Sequence, residues 1–143
     1  MAAAVVIPVH VGYQDLPKFY PEVVYADVGD IVEFHWMHGT HDVTLSHIDS
    51  PCQPYFGDYA SFYSGAASGA VKGWDPSIFR VTINSTFLSE MFFYSSVGSD
   101  CNKGMVGVIN PSHEDMLDIY KQLAVGAKTV SADYSAGGEW APP

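Results

Sequence analysis

Basic side chains are scarce in this sequence: six lysines and arginines stand against sixteen aspartates and glutamates, a formal net charge of −10. The six (Lys18, Lys72, Arg80, Lys103, Lys121 and Lys128) are scattered, so no basic run exists to neutralise phosphates, and the overall sign repels polyanions. Nucleic acid and anionic membrane surfaces are not expected as partners. Long apolar runs are missing too. None approaches the roughly 20 residues needed to cross a bilayer, so no membrane span is expected. The opening MAAAVVIPVHVG lacks a basic n-region, and Pro8 and His10 interrupt it too early for a signal peptide. Met1 reads as an initiator ahead of a mature sequence, so the missing leader says nothing against export. Cysteine is limited to Cys52 and Cys101, the minimum for one disulfide and equally compatible with two free thiols.

What is present points to one β-rich domain. The chain has 143 residues with 48% hydrophobic and 14% aromatic composition, enough for a single sizeable core. Seven runs are rich in β-formers: 5–12, 22–29, 30–36, 42–47, 77–84, 90–96 and 104–110. With turn residues between them they predict a β-sandwich. In DIVEFHW the alternation sends Val32, Phe34 and Trp36 to one face and Glu33 and His35 to the other. From Ser112 the period changes. Ser112 suits an N-cap, and Met116, Tyr120, Leu123 and Ala127 recur at helical spacing, which predicts a helix near 112–125 docked on the sandwich. The tail SADYSAGGEWAPP is expected to be irregular. The organisation expected is a sandwich over 1–111, with 112–143 as helix and tail on the same domain.

Residues 48–76 read as a long connection across one end of the sandwich. Its aromatics Tyr55, Phe56, Tyr59, Phe62, Tyr63 and Trp74 have two readings, a recognition surface for carbohydrate or protein, or a second core over the sandwich edge. Asn84-Ser85-Thr86 is an N-glycosylation sequon between two strand-like runs. His35, His38, His41 and His47 are close in sequence but belong to different strands and turns, so solvated or hydrogen-bonded side chains are expected rather than one metal cluster. His10 and His113 have no motif around them.

Taken together, VGDIVEF, THDVTLS, SPCQP and FFYSSVGSDCNKGMVGVIN resemble the fungal secreted cupredoxin-like proteins, often described as extracellular serine-rich proteins, across about residues 5–111. The resemblance implies an all-β fold, a cupredoxin-like Greek-key β-sandwich with the short C-terminal helix added, in an extracellular or cell-wall setting. It also implies that Cys52 and Cys101 form the family's structural disulfide.

Carried over position by position, the copper site is degenerate. His41 matches the first copper histidine and Met105 the weak axial methionine. Ser95 stands where the family has its ligand cysteine, and Asp100 where it has the second histidine. A blue-copper centre depends on the thiolate and two imidazoles, so this pattern predicts loss of type 1 copper and of electron transfer, with no cofactor. The alternative is a rebuilt, non-blue site in which His41 and Asp100 hold copper or zinc weakly. Asp100 is expected instead to satisfy the polar pocket by bonding His41 or Ser95. Ser95, His41 and Asp100 also supply the residue types of a hydrolytic triad, but no G-x-S-x-G turn or visible oxyanion hole accompanies them, and no enzymatic activity is expected. The partner expected is an extracellular protein or carbohydrate.

Overall fold

A computed structural model describes residues 3–65 and 77–143. Among these residues the chain forms β1 (Val6–Val11), β2 (Phe19–Tyr20), β3 (Val23–Val24), β4 (Ile31–Trp36), β5 (Thr44–Ser46), β6 (Ile78–Thr82), β7 (Met91–Tyr94), β8 (Val106–Ile109), α1 (Met116–Ala124) and β9 (Glu139–Ala141). One sheet has the order β2-β1-β4-β6-β9 and the other β3-β8-β7-β5, with parallel pairing of β1 with β4 and of β3 with β8.

The alternation along β4 sets the first sheet. Val32, Phe34 and Trp36 are buried in the main core with Phe79 and Val81 of β6, against Leu45, Met91, Phe93 and Ile109 from the second sheet. Phe93 anchors this core, edge-on to Phe19 at 4.9 Å and to Phe34 at 5.2 Å between ring centroids. On the other face of β4, Glu33 accepts from Arg80 Nε at 2.6 Å and lies 3.1 Å from His35 Nε2. Burial alone would raise the Glu33 carboxyl; the bonds from Arg80 and His35 outweigh it and bring the group below its ordinary value.

The second sheet is covered on both faces, which explains why MFFY and VGVI do not alternate. Phe93 points into the sandwich, while Phe92 and Tyr94 form a second apolar cluster with Val106, Val108, Leu117, Tyr120 and Ala124 beneath α1. Opposite Phe93 stands Gly107, where an added Cβ would lie 2.3 Å from the Phe93 ring. Tyr120 stacks on Phe92 at 4.8 Å. Its hydroxyl accepts from the Cys52 amide at 2.9 Å and donates to Ser46 Oγ at 2.8 Å, tying the helix to β5 and to the disulfide between Cys52 and Cys101.

Several sequence expectations are corrected. The tail is not irregular throughout, because Glu139–Ala141 pairs with β6 and Trp140 packs on Trp36 and Phe79. Gly137, at φ 75°, makes this possible: a Cβ there would sit 1.9 Å from the Ser61 carbonyl oxygen. The helix starts at Met116 rather than Ser112, whose amide and hydroxyl both donate to Glu90 instead. Leu123 is exposed, while Leu117 and Ala124 join Tyr120 on the buried face. Within the connection, Phe62 and Tyr63 are buried as core, whereas Phe56 and Tyr59 are exposed. Trp74 lies outside the described residues.

Tyr120→Phe keeps the ring stack but strips the Cys52 amide of its buried acceptor. Equilibrium denaturation should show a loss of about 1–3 kcal/mol, the cost of an orphaned buried donor; an unchanged midpoint would show that the helix anchor is dispensable.

Candidate functional site

The four residues that the resemblance matched to copper ligands, His41, Ser95, Asp100 and Met105, are presented by three segments. Ser95 follows the last residue of β7, and its amide donates to the Met105 carbonyl at 3.2 Å. The loop between them closes on itself: the Asp100 amide donates to Val97 O at 2.9 Å, and the Met105 amide to Asp100 O at 2.9 Å. The bridge from Cys101 to Cys52 then pins the loop to the segment after β5. His41 precedes β5, and its carbonyl accepts from Trp36 Nε1 at 2.8 Å. Gly39, at φ 77°, leaves room for the imidazole, since a Cβ there would stand 2.7 Å from His41 Nε2.

Asp100 sits at the centre of the result. Its Oδ2 lies 2.7 Å from His41 Nδ1 and accepts from Ser95 Oγ at 2.9 Å. The Ser95 oxygen in turn accepts from the Asp42 amide at 3.3 Å. Ser95 and Met105 are fully buried, and His41 is nearly so. The structure thus brings His41, Ser95 and Asp100 together and joins Met105 to them through the main chain. The order of contacts is not that of a nucleophile triad, because the serine hydroxyl donates to the carboxylate and no Ser95–His41 bond is formed.

The donor set does not fit type 1 copper. That centre takes a thiolate and two imidazoles. Here there is one imidazole, a neutral hydroxyl already engaged as donor and acceptor, a carboxylate and a thioether. Among the described residues no group of three or more histidine, cysteine, aspartate or glutamate side chains converges as a metal cradle. His35 faces Glu33 and His47 lies beside Asp49, so the closely spaced histidines have separate surroundings.

A second polar set was not read from the sequence. Asp42 is buried beside the site and accepts from the Ser96 amide at 2.6 Å and from the Ser96 hydroxyl, which also accepts from Ser131 Oγ at 2.8 Å. The signal was available in the dipeptide Ser95-Ser96, since adjacent residues leaving a strand face opposite ways. Burial pushes the Asp42 carboxyl up; the Ser96 bonds offset part of that, and the Asp100 charge adds to it. Asn84 is exposed just beyond β6, with its Oδ1 accepting from the Thr86 amide at 2.9 Å.

No family model matches the chain. An extracellular serine-rich protein of Arthroderma benhamiae is 42% identical over 125 residues, covering 87% of this chain and 46% of the relative. A probable GPI-anchored cupredoxin-1 of the same fungus is 37% identical over 128 residues, covering 89% of this chain and 63% of the relative. The chain therefore spans about half of the first relative and under two thirds of the second. Among solved structures, a pseudoazurin from Sinorhizobium meliltoi aligns at TM-score 0.52 and 17% identity, covering 89% of this chain and 86% of that one. Native pseudoazurin from Hyphomicrobium denitrificans aligns at 0.50 and 16%, covering 80% and 81%. The fold is that of a cupredoxin-like β-sandwich. The chain is similar to these two fungal proteins over most of its own length.

The raised Asp42 carboxyl has a signed consequence for stability. As pH rises above the ordinary value of 3.8, the unfolded chain releases this proton first, so Asp42 lowers stability progressively up to its folded pKa. Asp42→Asn removes that trend. Denaturation across pH 4 to 7, spanning the ordinary carboxylate range and above, should show the variant gaining on the parent as pH rises; parallel curves would contradict the assignment.

Proposed function

We propose that this is a secreted or cell-surface protein that has lost type 1 copper and electron transfer and acts by surface recognition or as a structural extracellular component. It is a binding protein rather than an enzyme. The observation that carries this reading is the closed Asp100 contact set: one carboxylate oxygen takes both His41 and Ser95, where a copper relative needs free imidazoles and a thiolate. The extracellular and GPI-anchored descriptions of the relatives, together with the disulfide, support placement outside the cell. The exposed sequon at Asn84 is proposed as a glycan attachment point in a eukaryotic host.

Copper titration tests the loss directly. The parent protein should develop no intense visible thiolate-to-copper band, whereas the double variant Ser95→Cys, Asp100→His should gain one, because it restores the missing donors beside His41 and Met105. A strong band in the parent would overturn the proposal. Tight binding of Cu(II) or Zn(II) without that band, abolished by His41→Ala, would favour the rebuilt site instead.

A further inference from the structure

At the end of β5 opposite the His41 pocket, a cleft of about 340 Å³ is bordered by His47, Asp49, Ser50, Tyr55, Phe56 and Gly57. Its volume falls within the range of small-ligand sites. We infer that this cleft binds a neutral oligosaccharide, with Phe56 as the stacking platform and Asp49 and His47 as hydroxyl partners. This deepens, and rests on, the surface-recognition reading.

The cleft is built, not incidental. Tyr55 is its pillar: the His47 ring stacks against it at 6.1 Å, its hydroxyl accepts from the Tyr59 amide at 3.2 Å, and its own amide donates to Leu45 O at 2.9 Å. Gly57 passes so close that an added Cβ would lie 2.2 Å from the Tyr55 hydroxyl oxygen. Phe56, whose ring lies 5.6 Å from that of Tyr63, is left 67% exposed, an unusual placement for a phenylalanine. The polar partners are complementary in kind. His47 Nδ1 is engaged by Asp49, accepting from its amide at 3.1 Å and lying 3.4 Å from its carboxylate, so Nε2 is the ring nitrogen outside that contact and donates when it carries the proton. The Asp49 carboxylate, 85% exposed, is an acceptor.

A flat apolar face flanked by one donor and one acceptor matches a sugar ring, whose hydroxyls both donate and accept and whose axial C–H faces are apolar. Charge narrows the class, because the net charge of −10 and Asp49 at the rim disfavour anionic glycans. An extended peptide is disfavoured by the strand edge. Adding a strand needs free main-chain groups, yet the Leu45 amide already donates to Phe62 O, and its carbonyl is taken by Tyr55.

Calorimetric titration of the whole chain in EDTA, with hexamers of β-1,3-linked glucose and of β-1,4-linked N-acetylglucosamine, tests the inference. At least one hexamer should bind. Phe56→Ala should weaken it at least about tenfold, as expected for a central aromatic contact, with melting unchanged. Asp49→Asn, an exposed isosteric change that keeps the fold, should weaken it several-fold, and Tyr20→Ala, outside the cleft, should not. Binding of neither hexamer, binding indifferent to both cleft variants, or binding of hexalysine in their place would overturn the proposal. Because EDTA removes metals, these outcomes are read independently of copper: a blue band in the parent would sink the earlier reading without silencing the sugar titration, and a silent titration would leave the copper result standing.

Discussion

Strand β7 is buried from both sides, and the position of everything around the His41 pocket follows from that. Phe93 is locked edge-on between Phe19 and Phe34, while Phe92 and Tyr94 are held under α1. A slip of one residue would exchange the faces, pushing Phe93 into the helix interface and Phe92 into the sandwich. Each buried aromatic contributes about 1.5–3 kcal/mol, and Gly107 leaves a space that the Phe93 ring fills beside the Glu22 carbonyl. The strand therefore has one register, which fixes where Ser95 and Ser96 emerge from it.

Those two serines organise two polar sets that meet at Asp42. One runs from His41 through Asp100 to Ser95 and on to the Asp42 amide; the other runs from the Asp42 carboxylate through Ser96 to Ser131. Asp42 belongs to both, by its amide to the first and by its carboxylate to the second. A fully partnered buried network is rigid and costly to open. On the proposed reading this is what replaced the metal: Asp100 supplies the charge and the acceptor that hold His41 in place, a role that a copper ion fills through coordinate bonds.

Much of this was legible in the sequence because it depends on local pattern. The seven strand-like runs each contain a strand, and Val32, Phe34 and Trp36 could be assigned to the core from alternation alone. The disulfide that the resemblance implied is formed. What escaped depends on distant contact. Glu139–Ala141 becomes a strand only because β6 offers an edge and Trp36 and Phe79 offer a surface for Trp140. Ser112 looks like a helix cap, but the Glu90 carboxylate competes for its hydroxyl and amide. Leu123 satisfies the helical period, yet the sandwich reaches only the arc holding Leu117, Tyr120 and Ala124. The aromatics of the connection are divided between interior and surface, with Phe62 and Tyr63 inside and Phe56 and Tyr59 outside, and no one-dimensional signal separates them.

On the proposed loss of copper, the disulfide explains how the loop can keep its shape without a metal. In the chain-entropy picture, closing a loop at a separation of 49 residues stabilises by about 4 kcal/mol whether or not a metal is present. Its placement matters as much as its energy. Cys101 adjoins Asp100, while Cys52 lies in the segment between His47 and Tyr55 that forms the cleft, and its carbonyl accepts from the Val130 amide at 2.9 Å. One covalent link thus braces the His41 pocket at one end of β5 and the cleft-bearing segment at the other, with Tyr120 bonding both Ser46 and Cys52 between them. Replacing the Cys101 side of that link would loosen two surfaces at once. A serine at position 95 is compatible with both surfaces, because it sits within the network that Asp100 closes.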